Sequence, residues 1–208
     1  MKFLINKIKI VQQSLVESQI KNRIQEFQSF KDKSNEDWFS ELCFCILTAN
    51  AKAKTSLVLQ QTLGYQGFTI TSQETLTKII KDHKHRFHNN KAKYIIQARK
   101  FTNIKEIIIN KDGKQAREWL VQNIKGLGYK EASHFLRNTG TTSLAILDRH
   151  ILNLMVDHKI INEKPKTLTK KKYLEIEQKL LPLCTKLNIN QSKLDLYLWY
   201  LKTNKVLK

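Results

Sequence analysis

The sequence is short of the residues that mark several protein classes. Three cysteines in 208 residues, Cys43, Cys45 and Cys184, are too few and too badly spaced for a disulfide framework or a four-cysteine metal site. Cys43 and Cys45 fall inside the apolar run Leu42-Cys43-Phe44-Cys45-Ile46-Leu47, where they read as small buried hydrophobes. Two prolines and six glycines beside 41% hydrophobic residues exclude collagen-like and disordered chains. No apolar run approaches the ~18 residues that a membrane span needs. The start, Met1-Lys2-Phe3-Leu4-Ile5-Asn6-Lys7, breaks into lysines too early for a signal peptide. A soluble, cytoplasmic protein without a membrane partner is expected. His83, His85 and His88 have no cysteine or carboxylate pair at ligand spacing and read as a basic loop, so no metal site is expected.

Acidic residues are scarce as well. Eighteen Asp and Glu against thirty-seven Lys and Arg leave a formal charge of +19. Such an excess repels itself in a monomer, so a polyanion is the economical partner, nucleic acid ahead of an anionic membrane surface. A merely well-solvated basic surface is the plainer alternative.

What the sequence has in abundance is helical periodicity. Ser34-Asn35-Glu36-Asp37 has the form of a capping box, and Trp38, Phe39, Leu42, Cys43 and Ile46 follow at helical spacing, predicting a helix to about Ala49. Gly64 and Gly67 read as punctuation of the next connection. Helices are predicted around Leu76–Ile80, from Tyr94 to Phe101, through Ala116–Ile124 up to Gly126, and through Ala132–Leu136 up to Thr139-Gly140. Further stripes follow at Ile151–Met155, at Tyr173–Leu180 behind a Thr169 cap, and at Leu194–Leu201, with Pro165 and Pro182 read as breaks. Strand alternation and internal repeats are lacking. The fold class is all-α, and no Gly/Ser-rich linker marks a domain boundary.

One segment carries chemistry. Ile124-Lys125-Gly126-Leu127-Gly128-Tyr129-Lys130 places Gly-x-Gly in a tight hairpin between two amphipathic helices. Glycines there allow positive φ and a close phosphodiester approach. The amides of Gly128, Tyr129 and Lys130 would open the second helix, where unpaired N–H groups and the helix dipole favour phosphate. Such anchoring positions DNA without reading bases. A hairpin without a ligand fits the glycines equally well. A dinucleotide-binding loop does not fit, because no strand precedes them and the third glycine is missing. Lys130 then starts the following helix, and Asp148 stands where Ala145-Ile146-Leu147 meets the next one, in a position typical of a structural cap.

The hairpin, Lys130 and Leu147-Asp148 together resemble the helix-hairpin-helix and Gly/Pro…Asp motif of the base-excision DNA glycosylase superfamily. Cys43–Asn50, His85-Arg86-Phe87, Lys130–Asn138 and Asp195–Leu201 extend the likeness over essentially the whole chain. They resemble the archaeal-type 8-oxoguanine DNA glycosylase/AP lyase. The resemblance implies two helical subdomains with a DNA-binding and active-site cleft between them: residues 1–58 together with 145–208, and a central subdomain 59–144 carrying the helix-hairpin-helix. It implies removal of 8-oxoguanine through a lysine Schiff base, then β-elimination at the abasic site. The implied partner is double-stranded DNA containing 8-oxoguanine or an abasic site, and the implied state is a monomer. Only Cys184 lies where other superfamily members hold a four-cysteine iron–sulfur loop, so no cluster and no other cofactor is expected.

The same resemblance assigns residues. Lys130 is the nucleophile that attacks C1′ once its amine is neutral, and Asp148 stabilises positive charge on the deoxyribose. Phe87 and Trp199 supply aromatic faces for the extruded purine, both also compatible with core positions. Asp195 accepts hydrogen bonds from the purine edge or supports its helix, and Lys208 contributes to the oxidised-base pocket. Asn50 fills the gap left by the base, Arg86 faces the orphaned partner base, and Lys125, Gly126, Gly128 and Tyr129 hold the backbone. A DNA-binding module without catalysis would need neither Lys130 nor Asp148. A glycosylase for another lesion would keep both.

Overall fold

Helical periodicity becomes helix along the whole chain, and no strand occurs in the computed structural model, which describes residues 1–208. The first two helices are α1 (Lys2–Gln12) and α2 (Val16–Ser29). Then come α3 (Asn35–Thr48), α4 (Ala53–Ile70), α5 (Gln73–Asp82), α6 (His88–Ala98), α7 (Ile104–Ile108) and α8 (Gly113–Asn123). The remainder is α9 (Tyr129–Asn138), α10 (Arg149–Asp157), α11 (Lys170–Gln178), α12 (Leu181–Leu187) and α13 (Gln191–Thr203).

Side-chain caps set many of the starts. Ser34 Oγ accepts the Asp37 N–H at 3.2 Å while Asp37 accepts the Ser34 N–H at 3.1 Å, a reciprocal capping box. Ser72, Asp112, Asp148, Thr169 and Asn190 cap α5, α8, α10, α11 and α13 by accepting a backbone N–H of the first turn, without the reciprocal bond, each worth about 1 kcal/mol. Three connections differ from the periodicity reading. Gly64 and Gly67 lie inside α4, with Gly64 at φ 56 making a kink rather than ending the helix. Pro182 sits in the first turn of α12, where its missing N–H has no intrahelical role, so it starts a helix instead of breaking one. The Tyr94–Phe101 segment begins earlier, at His88, and finishes in a 3-10 turn over Arg99–Phe101.

Packing groups the chain into two units. One is Lys31–Phe135, and the other is Met1–Phe30 with Leu136–Lys208. These boundaries fall elsewhere than the expected residues 58 and 145, for identifiable reasons. α3 packs on α4, α6 and α7, which draws residues 31–58 to the central helices. The end of α9 and the loop after it belong with α13: Ser192 Oγ donates to Thr141 O at 2.8 Å and Ser192 N–H to Thr142 O at 3.2 Å. In the central unit Phe39, Leu42, Phe44 and Ile46 of α3 are fully buried, and Trp38 meets Phe135 edge-on at 5.9 Å. Cys43 and Cys45 are fully buried among them, as small hydrophobes. In the other unit α1 packs on α2, α12 and α13, burying Leu4, Ile8, Leu183 and Tyr197. Each such Leu, Ile or Phe contributes roughly 1.5–3 kcal/mol.

Candidate active site

The hairpin between α8 and α9 is built around one glycine that cannot be replaced. Gly126 sits at φ +90, and a Cβ there would lie 2.4 Å from the Tyr94 ring of α6. Both the left-handed backbone and the aromatic neighbour therefore demand glycine. Ile124 and Leu127 are buried on either side and anchor the turn, while Lys125 and Gly128 face solvent. Gly128 does not need a positive φ. Its N–H, read as a phosphate donor, already gives a hydrogen bond to Glu131 Oε2 at 3.3 Å. Glu131 is the third residue of α9 reaching back to the residue before it, one half of a capping box. Tyr129 OH is hydrogen-bonded to Glu118, and the Arg117 guanidinium lies 5.2 Å from the centre of its ring. Lys130 is one-quarter exposed, with its Nζ 3.7 Å from Glu131 Oε1.

In the same unit, the loops after α3 and before α6 are tied together. Asn50 is exposed at φ 57 just beyond α3, and Phe87 is half exposed at φ 59 as the residue before α6. The Arg86 guanidinium stacks over the Phe87 ring at 5.1 Å. Two buried cations-in-waiting satisfy carbonyls that α3 leaves unpaired at its end. His85 places Nε2 2.9 Å from Leu47 O and Nδ1 2.7 Å from Arg86 O, and Lys91 Nζ donates to Ile46 O at 2.6 Å. Each side chain is only 4% exposed, so His85 is a structural tie and not part of a basic surface loop. Burial lowers the His85 pKa, with Lys91 and His88 pushing the same way and the two carbonyls opposing.

Burial also brings the Lys91 amine down to about 8. Neighbouring Lys130 adds to that shift and Glu131 opposes it. In the unfolded chain this amine titrates near 10.5. Between those values the unfolded state binds more protons, so stability gains as pH rises through that window. Wild type is expected to gain about 2 kcal/mol more than Lys91→Met between pH 7.5 and pH 10. Urea denaturation of both proteins at the two pH values measures the difference, and parallel curves would refute it.

The remaining candidate residues lie in the other unit. Asp148 caps α10, its Oδ1 accepting the Ile151 N–H at 2.8 Å. The segment leading to it, residues 145–147, is held by α11: Ala145 N–H donates to Glu177 Oε1 at 2.9 Å, and Tyr173 OH donates to Ala145 O at 2.7 Å. His150, two residues on, meets Trp199 of α13 edge-on at 5.2 Å, so the start of α10 and the indole share one patch. The Trp199 indole N–H is buried and makes no hydrogen bond. One turn earlier, Asp195 Oδ2 accepts from Arg137 Nη1 at 2.7 Å, a pair with side chains 11% and 4% exposed. Asp195 also lines a small, mostly apolar cavity with Ile146, Ile151 and Leu194. Lys208 is partly buried at the end of the tail that leaves α13 at Asn204. Nowhere do three His, Cys, Asp or Glu side chains converge as metal ligands would.

The sequence model of a family described as 8-oxoguanine DNA glycosylase matches residues 20–189. The chain belongs to the 8-oxoguanine DNA glycosylase family. Within this family, an 8-oxoguanine DNA glycosylase/AP lyase of Methanocaldococcus jannaschii is 52% identical over 206 residues, 99% of each chain. Another of the same description, from Korarchaeum cryptofilum, is 44% identical over 207 residues, covering 99% of this chain and 98% of its own. The fold agrees with the family too. The M. jannaschii glycosylase/lyase, crystallised with a 15mer DNA containing 8-oxoguanine, superposes with a TM-score of 0.96 at 51% identity. That match covers 99% of this chain and all of the other. A trapped endonuclease III–DNA intermediate, 16% identical with a TM-score of 0.60 over 90% and 86% of the two chains, shares the fold alone.

Several residues that pack against the candidate site of this glycosylase carried no role in the sequence. Lys91 looked like any lysine of a basic chain, because nothing local shows that its stem is buried. Glu131 had one signal, its spacing of three residues from the hairpin glycine. Arg137 gave none, since its partner Asp195 is remote in sequence.

Proposed function

We propose that this protein removes 8-oxoguanine from duplex DNA and then nicks the abasic site, with Lys130 as nucleophile and Asp148 as the charge-stabilising acid. The observation that carries the activity is the whole-length likeness to a glycosylase/lyase whose structure holds 8-oxoguanine DNA. The residue assignments are supported by the local geometry. Lys130 stands at the first turn of α9, partly open to solvent and directly after a hairpin suited to a sugar–phosphate backbone. Its electron pair attacks C1′, the base leaves with the pair of the glycosidic bond, and loss of the ring oxygen bond yields the Schiff base from which the 3′ phosphate is eliminated. Asp148 keeps one oxygen on the Ile151 N–H, which aims the carboxylate by fixing its rotamer. Phe87, Trp199, Asp195 and Lys208 are proposed for the extruded base, and Asn50 and Arg86 for the gap it leaves.

The reaction needs no iron–sulfur cluster in this reading: Cys184 is the only cysteine beyond residue 45 and is itself buried. A panel of duplexes carrying 8-oxoguanine, oxidised pyrimidines or an abasic site tests the proposal. Excision of 8-oxoguanine with borohydride-trappable adduct is expected, and preference for a pyrimidine lesion would overturn the substrate assignment. Affinity is expected to fall steeply between 50 and 200 mM salt, on the order of 10-fold or more if only a few phosphates are contacted. A flat response would detach the +19 charge from DNA binding.

A further inference from the structure

Glu131 is the acidic group at the hairpin that the reaction above leaves unused. Neighbours in a helix do not face each other. Yet its carboxylate is turned back so that one oxygen accepts the Gly128 N–H at 3.3 Å and the other lies 3.7 Å from Lys130 Nζ. The contact with Lys130 is thus produced by the bond to the hairpin and not by helix geometry. Both side chains are partly shielded, 14% exposed for Glu131 and 25% for Lys130. From α6 the buried Lys91 amine shares the field of the pair, its charge favoured by Glu131 and opposed by Lys130. From α8 the charged groups at this end of α9 are Arg117 and Glu118, both engaged with Tyr129. Glu131 is therefore the carboxylate presented to the Lys130 amine within this unit.

We propose that Glu131 takes the proton that Lys130 must shed before it attacks, an inference that rests on Lys130 being the nucleophile. A proton passes from Nζ to Oε1, and the freed electron pair forms the Nζ–C1′ bond. The C1′–N9 bond breaks, its electron pair leaves with the purine, and water protonates the departing base. The hydrogen bond from Gly128 keeps the acceptor aimed, so the hairpin that grips the backbone also orients the base. A separation of 3.7 Å is that of the free enzyme, and such contacts shorten when substrate closes the site.

Single-turnover excision and borohydride trapping on saturating 8-oxoguanine duplex, from about pH 6 to 9.5, test this in wild type, Glu131→Gln, Glu131→Ala and Lys130→Gln. Glutamine keeps an oxygen for the Gly128 N–H and loses the basicity. Glu131→Gln is expected to bind DNA and melt like wild type and to trap at least ~10-fold more slowly at pH 7, the low end of general-base effects. Its rate is expected to climb with pH towards that of wild type as hydroxide takes over. Formate is expected to raise the rate of Glu131→Ala in proportion to its concentration, which keeps the test open if glutamine disturbs the turn. A wild-type rate in Glu131→Gln at pH 7 overturns the proposal, as does a pH-independent loss joined to no formate response. Weaker binding with an unchanged saturating rate makes Glu131 a helix cap only and overturns it too. Adduct formation by Lys130→Gln at the wild-type rate overturns the nucleophile assignment instead, whatever the Glu131 variants do.

Discussion

Lys130→Gln is expected to bind lesion DNA normally, to give no borohydride-trapped adduct, and to lose excision by on the order of 10³-fold or more. That is the scale on which removing a nucleophile acts when the rest of a site survives. The substitution is clean because the rest does survive. Glutamine is nearly as good a helix former as lysine, and the side chain it replaces is one-quarter exposed and held only by a 3.7 Å ion pair. Stability should stay within about 0.5 kcal/mol of wild type. Gel analysis of trapped complexes beside equilibrium binding separates the outcomes. A persisting adduct, or a loss confined to affinity, would move the nucleophile to another amine.

The second large effect is expected at Asp148. Asp148→Asn should slow single-turnover excision at least ~100-fold, the cost of losing one charge-stabilising group in a transition state. DNA affinity should stay near wild type. The fold offers an internal control, because Asp148 has a structural duty as well: its Oδ1 caps α10 through the Ile151 N–H. Asparagine caps a helix about as well as aspartate, so the variant removes the charge and leaves the cap. A melting temperature close to wild type combined with slow chemistry would separate the two duties. Weakened binding with an unchanged rate would contradict the assignment.

Much of this site was legible because its signals are local. Ser34 with Asp37, and Asp148 before an apolar stripe, announce helix starts through bonds spanning three residues. The Gly126 hairpin announces itself through a backbone conformation that side chains avoid. What stayed hidden depends on distant chain or on context. Gly64 bends a helix that neighbouring packing holds together, and Pro182 opens one, where composition suggests a stop in both cases. His85 and Lys91 look solvated in sequence, and their burial follows from carbonyls at residues 46 and 47. Arg137 meets Asp195 across fifty-eight residues. The domain boundaries were hidden for the same reason, since they follow which helices pack together.

The chain's few sulfurs now acquire a meaning. Cys43 and Cys184 are buried thiols whose proton is held tightly, Cys43 pushed well up by burial and Cys184 raised to about 11. Thiolate is the form that attacks peroxide and is oxidised by it, and Cys45 is sealed into the same helix as Cys43. The conditions that oxidise guanine would therefore meet no readily ionised thiol at Cys43 or Cys184, and the sulfur open to them is that of Met1, 43% exposed at the surface.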